Sequence, residues 1–343
     1  MFKVVCLICS VLCGFSFFSC TSSAAVTKNA PEWVLAPDNV YSSSEYLNAV
    51  GSGVDRRTAE NDALSMLAKS IVQNVSSVSD SSKIMSGNDK KGYEIAYDFT
   101  SSIATVSSVK DIVGVSYKEV WESKDGTFYV LAQINREETG RYYRQEIDAR
   151  NKVINSEIVF ADSNDGTFEA LAALQNATNL AQENQVDMAL LAGIHPDMYR
   201  LTSIDYVSPA ALAVMSSRQR EKIRVSVYVE GDSQDRISGA LEATLAEVGL
   251  RIAEVDEEAR YSLNGKVIME KMDGNNKYEY IRYVLNVELL DNVTQKVLVP
   301  YTENGREAHI SQSEAKQRAY RTVEDSVKTK FKPIILQFFE DLR

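Results

Sequence analysis

Cysteine and histidine are the side chains best suited to nucleophilic, redox and transition-metal chemistry, and this chain has four of the first and two of the second. Cys6, Cys9, Cys13 and Cys20 all lie in the first 20 residues, so no segment beyond Cys20 can be closed by an internal disulfide. His195 precedes a proline and His309 lies just ahead of a helical pattern, neither with a cysteine or second histidine nearby. Both read as surface or capping residues. Neither a metal nor a cofactor is expected.

Two other patterns hint at ligands. Gly51-Ser52-Gly53 ahead of a helix has the look of a phosphate loop, but it lacks the third glycine of a dinucleotide loop and the Gly-Lys-Ser/Thr of a P-loop. A turn between strand and helix is the plainer reading. Asp162, Asn164 and Asp165 before Gly166 suggest calcium, yet the glycine is fifth from Asp162, where an EF-hand needs it sixth. That stretch reads as a turn whose carboxylates favour the positive end of the following helix. A carboxylate pair assembled from distant segments stays compatible with the sequence, although pairs such as Glu137-Glu138 and Glu257-Glu258 read as solvated faces. The 17 tyrosines could line a saccharide-binding or partner-binding surface, but Tyr278, Tyr280 and Tyr283 share a strand pattern. No catalytic residue is assigned, and the chain is expected not to be an enzyme.

The length of 343 residues suggests two or three domains, and 44% hydrophobic with 25% charged residues is an ordinary globular mixture. Lys plus Arg is 37 against 48 Asp plus Glu, a net charge of −11. That argues against a nucleic-acid partner, because phosphate neutralisation needs a basic surface. A partner held by electrostatics should instead offer Lys or Arg.

Lys3 followed by an apolar run from Val4 to Phe18 and a small polar stretch has the parts of a secretory signal. The run is shorter than the roughly 20 residues of a spanning helix. It resembles a bacterial lipoprotein signal, in which Ser19 precedes the lipid-modified Cys20. The resemblance implies a mature protein starting at Cys20, held to the membrane by a thioether-linked diacylglycerol and an amide-linked acyl chain. The alternative is plain secretion by cleavage after Ala25, since Ser23-x-Ala25 is an acceptable small-x-small site.

Tyr46–Val50 reads as a strand, Gly51–Gly53 as a turn, and the next residues as a helix with Ala59, Ala63, Leu67 and Ile71 on one face. Val115–Glu137 reads as a hairpin turning at Asp125-Gly126. Two helical stripes follow on either side of the 162–166 turn, Tyr143, Ile147, Ile154 and Ile158 on the first and Phe168, Leu171, Leu174, Ala181, Met188 and Leu191 on the second. A connection with a short helix from Pro209 to about Ser217 leads to the strand Ile223–Val229 and an amphipathic helix stopped by Gly249. Strands at 250–255, 261–272, 278–290 and 294–301 precede a long final helix from about Ser311, with Asp273-Gly274 and Asp291-Asn292 as turns. Pro333 should kink that helix or end its first part.

The AVGSG segment with Gly51 and Gly53, the helix TAENDALSMLAKSI with Ala59 and Ala63, and the ending through Trp121, Gly126, Tyr129 and Ala132 resemble the LPP-twenty lipoprotein domain. YSLNGKV (261–267) and VELLDNVTQKVL (287–298) resemble the small α/β domain of curli-secretion, flagellar-assembly and peptidoglycan-synthase-activator lipoproteins. These motifs form folds rather than active sites.

The expected fold class is α+β, two small α/β sandwich domains with helices on mainly antiparallel sheets, joined by an αα-hairpin. The expected division is a signal peptide (1–19), a flexible tether (20–30), an LPP-twenty-like domain (31–136), the αα-hairpin (137–192), a linker with a short helix (193–221) and a C-terminal α/β domain (222–343). The resemblances imply a lipid-anchored protein of the bacterial envelope, at the outer membrane and facing the periplasm or the surface. Its expected role is non-enzymatic binding or assembly, with another envelope protein or with further copies of itself as a homo-oligomer. A glycan- or peptide-acting hydrolase with a carboxylate pair and a small-ligand-binding lipoprotein are the alternatives.

Overall fold

The computed structural model describes residues 29–85, 112–254, 257–273 and 277–342, the side chains of 79–85 excepted. Cys20, the rest of the signal and most of the tether lie outside the described residues, as does Gly274. The fold is α+β, and the chain divides into two compact units.

Among the described residues the first unit comprises 29–70 together with 112–136. Its sheet has the order β1 (Tyr46–Gly53), β3 (Phe128–Asn135), β2 (Val115–Glu122), all antiparallel. Gly51-Ser52-Gly53 is not a turn. These residues are the end of β1, in register with Val130, Tyr129 and Phe128. The glycines are there because helix α3 (Arg56–Met85) crosses them at contact distance: a Cβ on Gly51 would lie 2.0 Å from the Ala63 nitrogen and 2.5 Å from the Ala59 oxygen. Asp55 starts α3 by accepting from the Thr58 N–H at 2.7 Å. Ala59, Ala63 and Leu67 then bury fully against the sheet. Met66, next to Leu67 in the chain, points away from the sheet and is exposed.

Two short helices, α1 (Glu32–Leu35) and α2 (Pro37–Val40), pack on β3 and β1, and α1 buries Trp33. Tyr41 donates to Glu119 at 2.7 Å, and Asn48 links Tyr41 and Asp38 to Gln133. Trp121 and Tyr129 pair across β2 and β3 with ring centroids 5.4 Å apart, and Ala132 is fully buried. Gly126, at φ +84°, makes the hairpin turn.

Among the described residues the second unit comprises 71–85 and those from Glu137 onward. Helices α4 (Arg136–Ser163) and α5 (Phe168–Ile194) carry the two expected apolar faces; Ile158 alone is only partly buried. The segment after them is more helical than its sequence suggests, with α6 (Pro196–Thr202), a 3-10 turn (Ser203–Asp205) and α7 (Pro209–Lys222). His195 makes α6 possible, since its ring accepts from the Met198 N–H at 3.3 Å while Pro196 supplies a preset first turn.

The five-stranded sheet of this unit has the order β5-β4-β6-β7-β8. Strands β4 (Arg224–Glu230), β5 (Arg251–Ile252), β6 (Tyr261–Met272), β7 (Glu279–Asp291) and β8 (Lys296–His309) differ from the sequence reading mainly at two places. β5 is only two residues long, and β8 runs eight residues beyond Tyr301. Helices α8 (Arg236–Glu247), α9 (Gln312–Ser326) and α10 (Lys332–Glu340) cover one face and share the largest apolar core. The final helix answers Pro333 by widening into a π turn over Val327–Phe331, where the Lys332 N–H bonds to the Val327 oxygen. That wider turn gives the pyrrolidine ring room and takes up the missing donor.

Candidate functional site

Among the described residues the helices lie on only one face of the five-stranded sheet, and period-2 alternation puts every second residue on the other. On β6 the inward residues Leu263, Gly265 and Val267 are buried while Asn264, Lys266, Ile268 and Glu270 are exposed. On β7, Ile281, Tyr283, Leu285 and Val287 face the core, with Arg282, Asn286 and Glu288 outward. Tyr228 of β4 stands 66% exposed beside Asn264, at one side of this open face. Its centre is the cross-strand pair Ile268 and Val284. At the far side the pair Arg282 and Arg306 lies directly in register, with the Arg306 guanidinium 5.8 Å from the centre of the Tyr280 ring.

β8 is the edge of the sheet and is held from the core side. Tyr301 packs on Phe331 with centroids 5.3 Å apart, Glu303 binds Lys330 at 2.9 Å, and Glu307 accepts from Thr322 at 2.8 Å. Gly305 sits opposite Tyr283, whose hydroxyl would be 2.3 Å from any Cβ there. The glycine lets the tyrosine ring lie under the edge strand.

The polar clusters elsewhere in the unit brace elements against each other. Arg260 Nη2 bridges Glu169 at 2.6 Å and Asp291 at 3.1 Å, and Tyr261 donates to Glu169 at 3.3 Å while accepting from the Phe168 N–H. Glu169 and Asp291 are a carboxylate pair from distant segments, but the guanidinium lies between them. Burial pushes the Asp291 carboxyl up; the Arg260 hydrogen bond and the Val293 and Thr294 N–H groups outweigh it and hold the group below the usual carboxylate range. Tyr261 is driven far above its usual value, chiefly by burial. Arg236 grips Glu324 through two bonds and Gln317 through a third, joining α8 to α9. In the hairpin, buried Asn184 donates to Asn151 at 3.0 Å beside the Arg150–Asp187 pair at 2.7 Å.

The residues singled out by sequence do not converge. His195 Nε2 lies 3.1 Å from Glu137, and His309 accepts from the Ser311 N–H at 3.2 Å, so each belongs to a helix boundary. Asp165 pairs with Lys222 at 2.8 Å, and Thr167 rather than the acidic run caps α5. Among Tyr278, Tyr280 and Tyr283, the first is exposed, the second half-buried on the open face and the third in the core. Gly51, Gly53, Ala59 and Ala63 form one helix-on-strand contact, while Trp121, Gly126, Tyr129 and Ala132 lie in the hairpin. Among the described residues, no group of three His, Cys, Asp or Glu side chains is placed to hold a metal ion. None of the described helices is long and apolar enough to cross a membrane. Arg282 and Arg306 escaped the sequence reading: Arg306 lies beyond the expected end of its strand at Tyr301, and an irregularity at Leu289 and Leu290 shifts the register that sets the two opposite each other.

No curated protein matches the chain. Among solved structures, a minor lipoprotein of Acinetobacter baumannii is 18% identical over 32% of this chain and 87% of its own, with a TM-score of 0.26. A secreted protein of Helicobacter pylori is 12% identical over 83% of this chain and 98% of its own, with a TM-score of 0.33. A PelC dodecamer of Paraburkholderia phytofirmans is 24% identical over 30% of this chain and 85% of its own, with a TM-score of 0.21. Residues 31–135, the span of the first sheet and its long helix, match the family model described as LPP20 lipoprotein.

Proposed function

We propose that this chain is a non-enzymatic envelope lipoprotein, anchored to the outer membrane by acyl chains on Cys20, that works by binding other proteins through the open face and edge of its five-stranded sheet. The observation that carries the reading is the sheet itself. One face is covered by three helices, and the other carries an apolar centre, two tyrosines and charged residues toward solvent. Such a mixture of aromatic, arginine and apolar groups is the composition of a protein interface. The lipoprotein match over 31–135 supports the anchor. With several acyl chains at ~0.8 kcal/mol per buried CH₂, attachment would be effectively permanent. The test is to incubate the detergent-solubilised protein with isolated envelope glycan and with envelope peptides and measure released products. No saturable turnover is expected. Hydrolysis that a single Asp or Glu substitution abolishes would overturn the reading.

A further inference from the structure

We infer that the open edge of β8 accepts an extended strand from a different protein, and that Arg306 selects for an acidic side chain on that strand; this rests on the partner-binding reading above. Pro300 fixes which way the edge faces. It has no N–H to give, so in a strand paired on one side only its nitrogen belongs on the side away from β7. The register with β7 then continues unbroken from Pro300 to His309. Antiparallel alternation therefore turns the N–H and C=O groups of Thr302, Asn304, Arg306 and Ala308 outward as well. Among the described residues none of these backbone groups has a partner beyond the sheet. The result is a ready template for strand addition, closed at one end by the proline.

Charge chooses the occupant. Glu270, Arg282 and Arg306 form one row across β6, β7 and β8, and the two arginines stand directly opposite each other, an unfavourable arrangement for like charges. Among the described residues neither arginine makes an ion pair. On the core side of the same strand, Glu303 and Glu307 already have Lys330 and Thr322. Between Pro300 and Ala308 the open face of β8 carries a single charge, the positive Arg306, although the chain as a whole is acidic and Glu307 on the core side has only a neutral hydroxyl as partner. A carboxylate on the added strand beside Arg306 extends the row with an opposite charge. A second copy of β8 offers only Thr302, Asn304, Arg306 and Ala308 on that face, none of them acidic.

The test places a photo-crosslinking amino acid at Asn304, and separately at Tyr228, in the full chain in native envelopes, and sequences the linked segments by mass spectrometry. The expected result is a link from Asn304 to a segment of another protein that contains Asp or Glu. Arg306→Glu should cut its yield by roughly fivefold or more, while Arg306→Lys retains most of it. A linked segment without an acid, a yield indifferent to Arg306→Glu, or a link to this chain's own β8 would each overturn the inference. Links from Tyr228 with none from Asn304 would overturn it too, but leave the partner-binding reading standing. Silence at both positions would overturn both.

Discussion

Gly51→Ala is predicted to loosen the first unit at the point where α3 meets β1. The new Cβ would lie 2.0 Å from the Ala63 nitrogen, 2.5 Å from the Ala59 oxygen and 2.6 Å from the Ala63 Cα. All three atoms are helix backbone, which cannot swing aside as a side chain would. Restoring an ordinary contact of 3.4 Å requires the helix to retreat by about 1.4 Å (3.4 − 2.0). A gap of 0.5–1 Å already forfeits a quarter to a half of each dispersion contact, so Ala59, Ala63 and Leu67 all lose packing. The cost falls at the upper end for overpacking, about 3 kcal/mol, offset by roughly 0.5 kcal/mol from a stiffer unfolded chain. For a unit of this size the Tm should fall by about 10–20 °C. Fluorescence isolates the effect, because both tryptophans, Trp33 and Trp121, lie in this unit. Gly239→Ala, in α8 with nothing within 4 Å of the added methyl, is the control and should leave that transition unmoved. A Gly51→Ala melt within a degree or two of wild type would refute the account of why glycine stands there.

Ala63→Leu should destabilise the same contact by roughly 1–3 kcal/mol, whereas Arg57→Ala, at an exposed position, should be near neutral in the same melt. Asp291→Asn should lower stability at pH 7 and flatten its acid dependence. The wild-type carboxyl is held below its unfolded value, so its contribution is complete above about pH 5 and is lost as the pH falls through its depressed folded value. Parallel wild-type and variant curves from pH 7 to 2 would contradict this. Cys20→Ala should leave the membrane fraction or persist as uncleaved precursor, and unchanged detergent partitioning with a mature terminus at Val26 would count against lipidation.

The legible parts of the fold were those with one-dimensional periodicity. The four-residue spacing of Ala59, Ala63, Leu67 and Ile71 marks α3, and the stripes of α4 and α5 mark the hairpin, because burial on one face repeats in the sequence. Gly51 and Gly53 misled for a physical reason. Glycine signals a turn when φ must be positive, but here it answers a helix backbone lying across a strand, which only the tertiary structure contains. The end of β8 was hidden because Thr302–His309 is polar on both faces. Its inward Glu303 and Glu307 are satisfied by Lys330 and Thr322 from the final helix, so no apolar alternation survives to mark a strand. The proposed edge and its arginine pair lie in that stretch. Net charge pointed to a basic partner, whereas cross-strand register concentrates positive charge locally.

Native mass spectrometry of this chain extracted from envelopes in mild detergent tests the central claim most directly. The account predicts an acylated chain in a stoichiometric complex with another envelope protein. A chain found alone, without acyl mass at Cys20, would contradict it.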